Sequence, residues 1–140
     1  MNDKALRQHA VTMLNSGDAH ATFEAAVKDM PAALRGKKPE GAEHSPWQVL
    51  EHLRIAQWDI LEFARNANHK SPEFPQGYWP KTQLPPNDQA WDKSVQSFRS
   101  DLEALCQLVS NEGTDLFAKI PHENGQTVLR QALVAADHNA

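Results

Sequence analysis

The chain has 140 residues, a formal net charge of −4, seven histidines and one cysteine. That length suits a single domain over residues 1–140 that buries roughly two-thirds of its extended-chain surface without staples. One cysteine excludes an internal disulfide, and the 14 Lys and Arg residues are scattered rather than striped, which argues against nucleic acid as a partner.

The first ten residues, MNDKALRQHA, lack the apolar core of a secretory signal, and no run reaches the 18 or so apolar residues of a membrane helix. A cytoplasmic protein in a reducing compartment is expected, with no membrane contact. Residues 3–30 read as helical but interrupted at Asn15-Ser16-Gly17-Asp18. His9 and His20 in this stretch read as surface or packing histidines, because neither belongs to a short ligand motif. Residues 31–44 have loop composition, with Pro31, Gly36, Pro39 and Gly41.

Ser45–Asn66 is the best delimited helix. Ser45 and Gln48 form an S-x-x-Q capping box with Pro46 at the first helical position. Val49, Leu53, Ala56, Ile60 and Phe63 make an apolar stripe about 100° wide, and His52 falls inside its edge. Asp59 lies along the helix from it. A polar group on a buried face needs a partner, and a carboxylate, a carbonyl, water or a metal all qualify.

The connection at 68–87 holds five prolines and the aromatic pair Tyr78-Trp79, so neither helix nor central strand persists there. It is either a crossover pinned by the two aromatics or a lid over a site. Asn87 or Asp88 is expected to cap a third helix, in which Trp91, Val95, Phe98, Leu102, Leu105 and Val109 recur as in a bundle. Cys106 beside that seam reads as an inert thiol. Trp47, Trp58 and Trp91 read as core and interface fillers. After Asn111-Glu112-Gly113, the residues Leu116, Phe117 and Ile120 should tuck under the bundle, with His122 solvated and a turn at Asn124-Gly125.

A fourth helix starts near Thr127 and is apolar on most sides. It carries His138 and reaches Ala140 without a glycine cap or basic last turn, so the domain is expected to break off inside this helix. His52 and His138 thus sit on two helices that a bundle brings together, and metal sites in bundles are built from such inward side chains. Spacing alone leaves two alternatives open: a metal, or buried histidines bonded to Asp59, Asp137 or a backbone carbonyl.

HSPWQVLEHLRIAQWDILEF at 44–63, GYWP at 77–80 and GQTVLRQALVAADHNA at 125–140 resemble the DinB-like (YfiT-like) four-helix proteins. The resemblance implies an all-α four-helix bundle. Up-down-down-up order fits the long connection between the second and third helices. It also implies a divalent metal, nickel or zinc, held by three histidines. His52 matches the one from the second helix and His138 the first of an HxxxH pair on the fourth. The second of that pair would stand beyond Ala140, so truncation is expected. The alternatives are completion by Asp59, by a partner chain, or not at all.

By the same resemblance, a metal-dependent thiol transferase or hydrolase is expected, acting on a small molecule or with a low-molecular-weight thiol. Tyr78-Trp79 would cover the pocket and Asp59 would orient His52. A homodimer also fits. The competing reading is a non-catalytic, stress-related helical domain or small-molecule-binding dimer, since family membership does not fix chemistry.

Overall fold

The computed structural model describes residues 2–16, 19–122 and 125–140. Its helices are α1 (Lys4–Ser16), α2 (Phe23–Val27), α3 (Pro46–Arg65), α4 (Ala90–Ser110) and α5 (Val128–Asn139). Four are long and α2 is a single short turn-and-a-half, so the interrupted first stretch is two helices rather than one kinked helix. Among the described residues the β pairing is one isolated antiparallel bridge, Lys119 to Thr127. Part of the predicted break, Gly17-Asp18, and Asn124 of the predicted turn lie outside the described residues.

The capping box forms as read. Ser45 Oγ accepts from the Gln48 amide at 3.2 Å and Gln48 Oε1 accepts from the Ser45 amide at 2.9 Å, which satisfies two orphan donors at the start of α3. Ser45 is fully buried because its hydroxyl also donates to the Gln83 carbonyl at 2.6 Å, tying the end of the long connection to the first turn of α3. Thr127 caps α5 in the same manner, accepting from the Arg130 amide. The expected cap of α4 is corrected. Gln89 holds that position without a side-chain bond, and Asn87 instead accepts from the Gln89 amide in a local turn.

Side-chain pairs give the helix directions. Ser94 donates to Glu51 and Gln57 donates to the Phe98 carbonyl, so α3 and α4 run parallel, which is why a long crossover must join them. His52 meets His138 at one end of α3, while Phe63 meets His122, just before α5, at the other. Helix α5 is therefore antiparallel to α3. Arg7 reaches Val109 and Asn15 reaches Cys106, making α1 antiparallel to α4. The order is up-down-down-up. Among the described residues no helix is long and apolar enough to cross a membrane.

The main core joins Ala10, Leu14, Leu61, Leu105, Val109, Leu116, Val128, Ala132 and Ala135, drawn from every long helix and the α4–α5 link. A second cluster of Trp47, Leu50, Trp91 and Val95 lies where α3 and α4 begin, with Phe23, Val27 and Met30 packed against it. Trp47 and Trp91 are core fillers as read, whereas Trp58 is 37% exposed. The seam of α4 buries Trp91, Val95, Phe98, Leu105 and Val109.

The stripe predicted for α3 is shifted. Its fully buried residues are Trp47, Leu50, Ala56, Gln57 and Leu61, because the helix is covered by α4 on one side and α5 on another. Val49, inside the predicted stripe, is 44% exposed, in a groove that it lines with Phe23 and Met30. Leu116 and Ile120 tuck under the bundle as expected, but Phe117 is half exposed. His122 is not solvated. Both its ring nitrogens are buried, and its ring lies 5.0 Å from that of Phe63.

Candidate functional site

The second turn of α3 and the last turn of α5 bring His52 and His138 together. Their Nε2 atoms lie 3.1 Å apart and their rings are tilted by 58°. The Nδ1 of His52 lies 2.9 Å from the backbone carbonyl of Tyr78. A carbonyl oxygen only accepts, so Nδ1 carries a proton; in the neutral ring Nε2 then offers its lone pair to His138, whose Nε2–H donates to it. Of the alternatives open for His52, the partner at Nδ1 is a backbone carbonyl.

That carbonyl comes from the proline-rich crossover. Residues Gln76–Tyr78 form a single 3-10 turn, and Trp79, which follows, stacks on the His52 ring with centroids 3.9 Å apart and planes 6° from parallel. Trp79 also stacks on His44, at 4.1 Å. The crossover thus covers His52 and fixes both its ring plane and its tautomer, so pinning and covering are performed by the same two residues.

Asp59 does not touch His52, which corrects the role expected for it. Its Oδ2 accepts from the Tyr78 hydroxyl at 2.7 Å and its Oδ1 lies 2.7 Å from His69 Nε2. Asp59 and His69 are both nearly enclosed, with 13% and 5% of their side chains exposed. Burial, then the hydrogen bond to Asp59, push the Tyr78 hydroxyl up to about 12, which keeps it protonated and donating. With both oxygens engaged, Asp59 is no third ligand at the histidine pair. Among the described residues no group of three His, Cys, Asp or Glu side chains gathers at one point.

Around His138 the polar groups are less well served. Its Nδ1 is buried without a partner, as is Oδ1 of Asn139. Asn139 Nδ2 donates to Gln57 Oε1 at 2.9 Å, and fully buried Gln57 passes a bond to the Phe98 carbonyl. Burial, and then the nearby His52, hold the His138 pKa below the ordinary imidazole value, so the ring stays neutral and able to act as a ligand near pH 7. Asp137 is exposed and is not its partner.

The remaining candidates lie elsewhere. His9 and His20 are exposed, as read. Cys106 is half-buried, 3.6 Å from Asn15, and burial pushes its thiol up, as befits an unreactive cysteine. A broad surface groove of about 650 Å³, bounded by Glu24, Met30, Arg35, Trp91 and Arg99, shares no residue with the histidine pair.

The spacing of the two imidazoles matches that of two ligands on one ion. Two nitrogens each about 2.0–2.1 Å from one ion stand about 2.9–3.4 Å apart at octahedral to tetrahedral angles. The observed 3.1 Å falls in that interval, which is also the length of an N–H···N hydrogen bond between the two rings.

A family model described as the DinB superfamily matches residues 18–140, nearly the whole length of the chain. The chain belongs to the DinB superfamily. Comparison with curated proteins found no match, and neither did comparison with solved structures. In this DinB-superfamily chain, sequence reasoning located His52, His138 and the Tyr78-Trp79 cover. It missed His69 and Gln57. His69 belongs to no motif, and its partner Asp59 becomes a neighbour only when the chain turns back after α3. Gln57 could have been flagged as an uncharged polar residue one position after Ala56 in the apolar stripe.

Proposed function

We propose that this DinB-superfamily protein binds a divalent metal, nickel or zinc, through Nε2 of His52 and Nε2 of His138. The observation that carries this reading is the 3.1 Å approach of two imidazole Nε2 atoms, one ring with its Nδ1 bonded to the Tyr78 carbonyl and the other held neutral by burial. Metal ligation requires neutral rings with a free lone pair, and a bonded second nitrogen is the usual device that aims it. When bound, the metal acts as a Lewis acid that lowers the pKa of a thiol or a water toward neutrality.

The reaction class that follows is thiol transfer or hydrolysis on a small molecule, with a low-molecular-weight thiol as co-substrate in the first case. The protein's own share is positional. Trp79 shields one face of His52, and the Tyr78 carbonyl holds the Nδ1 proton, so that ring can neither rotate nor change tautomer without breaking a hydrogen bond. His138, kept neutral by burial, does not compete for a proton near pH 7.

The test is thermal or denaturant unfolding with and without Ni²⁺ or Zn²⁺. At free metal about 100 times the dissociation constant, the native state gains about 2.7 kcal/mol. We expect that gain in the wild type and none in His52→Ala. An equal gain in His52→Ala, or no binding by the wild type in calorimetry, overturns the reading.

A further inference from the structure

We propose that Asp59 is a positioning residue for His52, acting through Tyr78, with His69 as the second arm of the same clasp. The inference rests on the reading of His52 as a metal ligand and extends it to residues that touch neither the metal nor the substrate.

Tyr78 has two polar ends that serve different parts of α3. Its hydroxyl donates to Asp59 at 2.7 Å, and its backbone carbonyl accepts from His52 Nδ1 at 2.9 Å. Asp59 and His52 are seven residues apart on one face of the helix, about two turns, or roughly 10 Å. A tyrosine side chain laid along the helix spans that gap, so anchoring the phenol at Asp59 places the carbonyl at His52. The second oxygen of Asp59 is held by His69, where the crossover leaves α3. The carboxylate therefore fastens the segment at both its departure and its return. The ring of Trp58 meets His69 edge-on at 5.0 Å, closing the outer side of the clasp.

The turn between these anchors is short and internally bonded. The amide of Gly77 donates to the Glu73 carbonyl at 2.6 Å and that of Tyr78 to the Pro75 carbonyl at 3.2 Å. A methyl group on Gly77 would lie 2.7 Å from Cβ of Pro72, so the turn has no room for a side chain there. A compact turn with little slack transmits the position of the Tyr78 ring to its own carbonyl. Without the Asp59 anchor, the carbonyl no longer selects which nitrogen of His52 carries the proton. The lone pair then points to the ligand position for only part of the time.

The experiment is imidazole nitrogen NMR on metal-free protein labelled at histidine, at about pH 8, above the ordinary histidine pKa. Wild type is expected to show His52 as a single Nδ1–H tautomer. Asp59→Ala and Tyr78→Phe, each checked for native helicity, should show a mixture of tautomers. Affinity for Ni²⁺ or Zn²⁺ should fall about 10- to 100-fold, the usual cost of losing an outer partner of a metal ligand. Asp59→Glu, which keeps the acceptor, should restore most of the single-tautomer signal.

A His52 that keeps one Nδ1–H tautomer in both variants overturns the positioning role, even if the wild type binds metal. A tautomer change in the variants of a protein that binds no metal supports the clasp and overturns the metal reading instead. Should Asp59→Ala not fold, Tyr78→Phe decides the matter alone, since it removes one oxygen atom and leaves the Asp59–His69 contact in place.

Discussion

At one end of the bundle Arg7 places every donor of its guanidinium. Nε and Nη2 meet the two oxygens of Asp3, while Nη1 and Nη2 reach the carbonyls of Val109, Asn111 and Thr114. Those carbonyls belong to the end of α4 and the turn after it, where helices leave acceptors unpaired. At the other end His138 Nδ1 and Asn139 Oδ1 are buried without a partner. The same four helices thus finish in a fully bonded arginine on one side, where His122 is nonetheless buried with neither ring nitrogen partnered, and in the unsatisfied His138 and Asn139 on the other. Buried polar groups that fold stability does not explain are where function is sought. The comparison teaches that charge alone does not mark the site: the fully bonded arginine is structural and the half-bonded histidine is the candidate ligand.

The largest expected effect sharpens the stable side of this contrast. Leu116, fully buried beneath the Arg7 end, takes part in the main core. Leu116→Ala should cost about 2–5 kcal/mol in denaturant unfolding and leave the tautomer of His52 unchanged. A shift in that tautomer would show the two ends to be coupled, and the contrast would fail.

An intermediate effect tests the other end. Gln57→Leu removes the acceptor of the Asn139 amide and should cost about 1–3 kcal/mol, because a buried donor is then left unpaired. The double variant Gln57→Leu, Asn139→Leu should recover the part of that loss that comes from the Asn139 amide, while the bond from Gln57 to the Phe98 carbonyl stays lost. A double-mutant cycle measures the difference, and simple additivity would mean that the pair carries no coupling.

The smallest effect is a titration that leaves stability at neutral pH untouched. Tyr78 is the one tyrosine of the chain, so its ionisation can be followed by tyrosinate absorbance. Its hydroxyl should ionise near 12 rather than near the ordinary 10. The raised value means that the folded state holds the proton more tightly. The contribution of this hydrogen bond is therefore complete below the unfolded pKa and is lost as the pH rises through the folded one. Asp59→Ala should bring the titration back toward the ordinary value, and a wild type that already ionises there would show the Tyr78–Asp59 bond to be absent.

Much of this was legible in the residues. The capping box at Ser45 and Gln48, the cap at Thr127 and the seam of α4 depend on contacts within four residues or on helical period. Local chemistry specifies them before any packing occurs. The long proline-rich connection sufficed to make α3 and α4 parallel, because a short loop cannot join parallel neighbours. His52 and His138 could be nominated as polar residues in apolar surroundings, and the family resemblance singled them out further.

The partners of those histidines could not be read in this way. Asp59 stands on the same helix as His52, and spacing made it the natural partner, yet the crossover returned a carbonyl to His52 and took Asp59 for Tyr78 and His69. A backbone carbonyl has no signature in a sequence, since every residue carries one. Nor did periodicity say how wide an arc of α3 would be covered, for that depends on two neighbours at once, and so Val49 was placed inside and Gln57 was overlooked. The sequence by itself determined where α3 and α5 begin, how α3 and α4 must be connected and which histidines lie on apolar faces. Only the tertiary structure decided which nitrogen of His52 is held by a partner in the crossover, because that choice is made by an atom 26 residues away.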